Sequence, residues 1–66
     1  MLENKLISNI KQQIQIKGIK QFELAKAIGI EPTKLSAILK SRRKITGIEL
    51  IKISNALDIK VEDLVK

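Results

Sequence analysis

Isoleucine and leucine recur along this chain three and four residues apart, the spacing of one face of an α-helix. In the first stretch they stand at Leu2, Leu6, Ile10 and Ile14, with Ile7 beside them. This pattern predicts an amphipathic helix from Leu2 to about Ile16. A basic amphipathic helix can also lie on a membrane surface, but the later segments offer this one an apolar partner. Gly18 is the expected end, because glycine tolerates a left-handed backbone.

Two shorter apolar patterns follow, with a tight turn between them. The first predicts a helix over about 21–28, with its apolar positions at Phe22, Leu24, Ala25 and Ile28. Lys20 is a poor N-cap for this helix, and Gly29 is expected to make the turn that ends it. The next helix is predicted to begin at Pro32, since the first helical position needs no N–H donor. Its inner face would be Leu35, Ile38 and Leu39.

The last third of the chain predicts two more helices. Thr46 and Glu49 fit a capping box at the start of the fourth helix, and its apolar stripe is Leu50, Ile51, Ile53, Ala56 and Leu57. Asp58 would end this helix in a left-handed conformation. A short helix is then predicted over about 61–65. Five helices and no strand candidate predict an all-α bundle, with residues 1–66 forming one domain.

Composition excludes several classes of function. The chain has no cysteine and no histidine, which excludes disulfides and the usual zinc sites. Phe22 is the only aromatic residue, which argues against modules that stack the bases of single-stranded nucleic acid. No paired carboxylates suggest acid–base catalysis, so we predict a protein that is not an enzyme and needs no metal or cofactor.

The positive charge is concentrated in the middle of the chain. Eight basic and two acidic residues lie between Lys17 and Lys44, giving +6, which is the net charge of the whole chain. The remaining five basic and five acidic residues cancel. A basic surface of this kind is either simply solvated or meets a polyanion such as DNA. No signal peptide or membrane-spanning segment is evident, so a cytoplasmic protein is expected.

With these residues in place, the chain resembles the lambda repressor/Cro-like (XRE) family of helix-turn-helix transcriptional regulators. The similarity runs from about Leu6 to Leu64. It rests on the segment from Gly18 to Ile30, on Leu35-Ser36-Ala37-Ile38, and on the later series Leu50, Ile53, Ala56, Leu57, Ile59, Val61, Glu62, Asp63 and Leu64. The resemblance implies a compact five-helix, lambda repressor-like domain in which the second and third helices form the helix-turn-helix and the third helix reads bases in the major groove.

The resemblance also assigns roles to individual residues. Gln21 matches a position that holds a DNA phosphate, Thr33, Lys34 and Ala37 match base-reading positions, and the basic loop after the third helix matches a phosphate contact. The full set of expected DNA-binding residues is Lys20, Gln21, Thr33, Lys34, Ser36, Ala37, Lys40, Arg42, Arg43 and Lys44. For Thr33, Ala37 and the loop, a purely solvated or space-filling role is the alternative.

The chain departs from the family pattern at four positions. Glu31 replaces the usual Ser or Thr cap, Pro32 stands where glutamine often reads a base, and Ser41 and Asp58 each replace a glycine. These changes leave the fold expectation intact. They leave the preferred DNA sequence open, because an unusual set of reading residues has no transferable code.

We therefore expect a sequence-specific DNA-binding transcriptional regulator, a repressor of phage, mobile-element or bacterial origin. It is expected to bind a palindromic operator as a homodimer through the major groove. The dimer interface is expected at Ile59, Val61, Leu64 and Val65. One alternative is a protein-binding module on the same fold, such as an antitoxin bound to a toxin, or an adaptor bound to an effector. Another is that the chain is the DNA-binding part of a longer protein.

Overall fold

The computed structural model describes the backbone of residues 2–66 and the side chains from Lys5 onward. Its five helices are α1 (Leu2–Lys17), α2 (Gln21–Ile28), α3 (Pro32–Leu39), α4 (Gly47–Ala56) and α5 (Val61–Leu64). They agree with the predicted helices to within about a residue at each end. The described part of the chain contains no strand, and none of its helices has the length and apolar character needed to cross a bilayer.

One apolar core joins all five helices. Its fully enclosed members include Ile10 of α1, Leu24 of α2, Ile38 of α3, Ile53 of α4 and Leu64 of α5. The inner face predicted for α3 is confirmed, since all three of its members are buried. Leu2 was predicted on the inner face of α1, but its side chain lies outside the described residues.

Two residues of the apolar stripe predicted for α4 do not enter the core, so that part of the prediction is wrong. Ile51 is 54% exposed and Ala56 is also exposed. At about 100° per residue, the row of Ile53 and Leu57 faces the core, and Ile51 and Ala56 fall on opposite sides of it. Ser54 is buried instead, and its hydroxyl donates to the Ile51 carbonyl at 2.7 Å.

Four helices end with the same backbone arrangement. Gly18, Gly29, Ser41 and Asp58 have positive φ angles of 66°, 74°, 59° and 53°. After each of them, the next N–H donates to the carbonyl five residues earlier; the donor–acceptor pairs are Ile19–Ile14, Ile30–Ala25, Arg42–Ala37 and Ile59–Ser54. This is the hydrogen bond of the Schellman motif, which ends a helix and satisfies one of its free carbonyls. The predicted left-handed conformation of Asp58 is confirmed.

The isoleucines that follow three of these helix ends anchor the turns. Ile19, Ile30 and Ile59 are half-buried and pack against the core. After α3 the same position holds Arg42, which is exposed. The chain therefore leaves α3 toward solvent with a cation at the place where the other turns carry an apolar anchor.

Candidate nucleic-acid interface

The turn between α2 and α3 fixes the angle at which the two helices meet. Ala25 is fully buried, and its small side chain lets the helices approach closely. Gly29 adopts the left-handed conformation that ends α2, and Ile30 is half-buried beneath the turn. The chain then enters α3 through Pro32 at its first position. These features are the helix-turn-helix predicted from the sequence.

The outer face of α3 is open. Thr33, Lys34 and Lys40 are exposed, while Ser36 and Ala37 are half-buried. The opposite face of the helix is buried in the core, so this face is turned away from the interior of the domain. Between Glu31 and Glu49 the sequence has no acidic residue, so this face carries no charge that would repel a phosphate-lined groove.

The start of α2 differs from a well-capped helix. The Lys20 side chain makes no capping hydrogen bond, as expected from its lack of an acceptor atom. Glu23 compensates in part, because its Oε1 accepts the Lys20 backbone N–H at 3.1 Å. Lys20 and Gln21 are both exposed, so their side chains are free to meet a partner at the edge of the α3 face.

The basic loop after α3 is exposed at Lys40, Arg42 and Lys44, but one of its side chains is bound to another residue of the protein. Arg43 is half-buried, and its Nη1 donates to Glu49 Oε2 at 3.0 Å. This ion pair is not predicted by the sequence pattern, in which Glu49 is assigned to helix capping alone. An acidic residue soon after a basic loop was the available signal.

Glu49 joins the loop to the start of α4. Its Oε1 accepts the Thr46 N–H at 2.9 Å, and its own N–H donates to Thr46 Oγ1 at 3.1 Å, which confirms the predicted capping box. The Thr46 backbone N–H is the main cause that holds the pKa of the Glu49 carboxyl below its usual range; burial opposes it, and Arg43 adds to the lowering. Glu49 is therefore a carboxylate at neutral pH.

A depression on the same side of the molecule brings three helices together. It is lined by Lys11, Ile14, Gln15, Gln21, Ser36, Leu39 and Lys40. Gln21, Ser36 and Lys40 belong to the DNA-binding set predicted from the sequence. Lys11 and Gln15 of α1 do not, because nothing in the sequence indicates that α1 reaches the end of α3.

The predicted dimer interface needs a correction at one residue. Leu64 has 0% exposure, and its carbonyl accepts a 2.7 Å hydrogen bond from Asn9 Nδ2. Its side chain packs α5 onto the core, so a second chain cannot contact it in this conformation. The other three residues of the predicted interface, Ile59, Val61 and Val65, are half-buried.

A family model described as the Cro/C1-type HTH DNA-binding domain matches residues 9–66. This match confirms the resemblance drawn from the sequence and agrees with the all-helical fold. It also confirms the expectation of a DNA-binding rather than an enzymatic protein. No curated protein matched the chain.

Proposed function

Because the chain belongs to the family of Cro/C1-type helix-turn-helix DNA-binding domains, we propose that it is a sequence-specific transcriptional regulator. It acts as a repressor of phage, mobile-element or bacterial origin, in the cytoplasm beside the DNA that it binds. The observation that carries this proposal is α3, whose inner face is fully buried and whose outer face is open, basic and free of acids.

Base reading falls to the first turns of α3. Lys34 can donate to O6 and N7 of a guanine, and Thr33 and Ala37 can contact a thymine methyl group. Thr33 and Lys34 are exposed, while Ala37 is half-buried and so has a shorter reach into the groove. The ring of Pro32 carries no hydrogen-bond donor or acceptor, so this side chain makes no hydrogen bond to a base.

Phosphate contacts flank the reading helix on both sides. Gln21 lies at the start of α2, and Lys40, Arg42 and Lys44 lie at the end of α3 and in the loop beyond it. The left-handed conformation of Ser41 turns the chain away from the axis of α3. The N–H of Arg42 still donates to the Ala37 carbonyl at 2.8 Å. Such contacts fix the register of a protein on the duplex without reading its sequence.

We propose that two copies bind a palindromic operator, whose half-sites would lie about one helical turn (~34 Å) apart. The surface that supports this homodimer lies at α4 and α5. Ile59, Val61 and Ile51 line one groove there, and Ile48 one turn before Ile51 is 68% exposed. The acidic and basic residues outside 17–44 cancel, so two copies of this surface can approach without the repulsion of the basic face.

A protein-binding module is the second candidate function, and the same exposed isoleucines favour it. Exposed apolar residues grouped on one surface often mark a protein–protein contact, and a toxin or an effector could occupy the surface instead of a second copy. The two functions place their essential residues on different faces. An adaptor would tolerate replacement of Thr33 and Lys34, whereas a regulator would tolerate replacement of neither.

Selection of preferred duplexes from a random pool tests the proposal most directly. The expected result is a palindromic site bound far more tightly than random DNA, with binding that weakens steeply as salt rises. The matched control is the Thr33→Ala/Lys34→Ala double variant, which should keep the fold because both residues are exposed. If the wild type selects no sequence, or if the control selects the same sequence equally well, the proposed function is wrong.

A further inference from the structure

The depression that joins α1, α2 and α3 is lined by two lysines and by other hydrogen-bond donors. Lys11 of α1 and Lys40 at the end of α3 are 29 residues apart in the sequence (40 − 11), yet both line it. The other polar side chains around it are Gln15, Gln21 and Ser36. All of these are hydrogen-bond donors, and among the side chains that the structure describes, from Lys5 onward, no acidic one lines the depression.

An anion suits this surface better than an apolar ligand or a cation. Two exposed lysines at the edge of one depression attract a negative charge to it, since opposite charges attract. The floor is formed by Ile14 and Leu39, which pack against or within the core and so hold the lysine-bearing helices together. The depression has a volume of about 320 Å³, many times the ~30 Å³ share of one water molecule in the liquid, so a partly hydrated phosphate group fits.

The place of the depression identifies the anion. Gln21 and Lys40 belong to the proposed DNA interface, and Ser36 lies on the outer face of α3. A strand whose groove accepts α3 must carry its sugar–phosphate backbone along the edge of that face. Lys11 is therefore positioned to meet the strand where it leaves the recognition helix.

We propose that Lys11, with Gln15 one turn further along α1, binds a backbone phosphate of the operator and so extends the DNA interface from the helix-turn-helix onto the first helix. The inference rests on the proposed function. In this arrangement α1 helps to set how α3 enters the groove, because a contact on a third helix limits rocking of the domain about the α3 axis.

The test is a salt titration of Lys11→Gln on the preferred duplex and on a random one. Removing one phosphate contact should lower the magnitude of the slope of log K against log salt by about 0.9. From 50 to 200 mM salt the affinity of both proteins for DNA falls. The fold decrease should be roughly three to four times smaller for Lys11→Gln than for the wild type. The affinity loss at fixed salt should be the same for both duplexes, because a phosphate contact reads no base.

Matched variants keep the test decisive. Lys5→Gln removes an exposed lysine of the same helix that does not line the depression, and it should leave the slope unchanged. Lys11→Arg should retain the slope of the wild type. If Lys11→Gln behaves like Lys5→Gln, or if its loss is confined to the preferred duplex, this inference is wrong while the proposed function stands. If the wild type binds no duplex, both proposals are wrong.

Discussion

Arg43 Nη1 donates to Glu49 Oε2 at 3.0 Å, and the other oxygen of the same carboxylate accepts the Thr46 N–H. One acidic residue thus ties the basic loop to the start of α4. The Arg43 side chain remains 39% exposed, and guanidinium has five N–H donors, so the ion pair leaves donors available to a phosphate. Glu49 orients the arginine and does not cancel its proposed role at the DNA.

The first prediction concerns pH. Because the pKa of Glu49 is lowered in the folded state, its carboxylate stabilises the fold at pH values above its ordinary pKa. That stabilisation is lost as pH falls through the folded-state pKa. We expect Glu49→Gln to cost about 1 kcal/mol at neutral pH. The cost should shrink below about pH 5 and vanish in stronger acid.

Urea unfolding at a series of pH values measures this difference. Glu62→Gln, at an exposed residue of α5, is the control and should stay within ~0.5 kcal/mol of the wild type. A difference between wild type and Glu49→Gln that stays constant from neutral to acid pH would show that the charge of Glu49 does not contribute to stability.

The second prediction concerns base reading. Lys34→Ala should cost ~1–3 kcal/mol on the preferred duplex and relax the preference at one base pair. The reason is that an exposed lysine in the first turns of the reading helix contributes its hydrogen bonds only when a particular base is present. Binding assays on the preferred duplex, on its single-base variants and on random DNA measure both effects. Equal losses on all of them would contradict a base contact and would indicate a phosphate contact instead.

Local signals explain why the helices could be predicted from the sequence. Gly29 requires no neighbour to favour a left-handed turn, Pro32 favours a helix start by its own geometry, and the bonds between Thr46 and Glu49 span only three residues. The end of α2 and the starts of α3 and α4 follow from such signals. The face of α3 that enters the core was also predictable, since a helix of eight residues with three clustered apolar positions can bury only one side.

What could not be predicted depends on how the helices pack. The sequence pattern places Ile51 in the apolar stripe of α4. In the structure α4 is oriented so that Ser54 enters the core beside Ile53, and Ile51 stays exposed. The approach of Lys11 to Lys40 requires the packing of α1 against α3, which no local pattern encodes. Leu64 was expected at a dimer interface because a short terminal helix with one leucine can bury that residue within its own chain or against another.

The third prediction uses two glycines with the same open surroundings. A Cβ atom added to Gly29 or Gly47 would meet no atom within 4 Å. Gly29 has a φ of 74°, so Gly29→Ala should destabilise the protein by about 1–2 kcal/mol through backbone strain alone. Gly47 begins α4 without such a φ, and Gly47→Ala should stabilise by up to ~1 kcal/mol.

Thermal or urea unfolding of both variants distinguishes backbone strain from steric crowding. Each glycine is the control for the other, since neither substitution creates a contact. If both variants lose stability equally, the left-handed conformation of Gly29 is not what makes the turn depend on glycine.

The fourth prediction separates the dimer surface from the core. Ile51→Glu places a charge on the proposed homodimer surface at a residue that is already half exposed. It should therefore abolish dimers in sedimentation while leaving the unfolding free energy nearly unchanged. Leu64→Ala, in contrast, removes a fully buried side chain and should cost ~2–5 kcal/mol of stability. Ile16→Glu, at an exposed isoleucine of α1, is the control that should leave the dimer intact.

The operator adds a second readout for the same variants. If two copies meet through Ile51, the Ile51→Glu protein should bind a single half-site as well as the wild type does, but should lose the extra affinity of the full palindrome, because that gain comes from joining the two binding events. A variant that remains dimeric and binds the palindrome normally would place the interface elsewhere on the surface. A wild type that is monomeric both alone and on the palindrome would rule out the homodimer, and the exposed isoleucines would then favour a different protein partner.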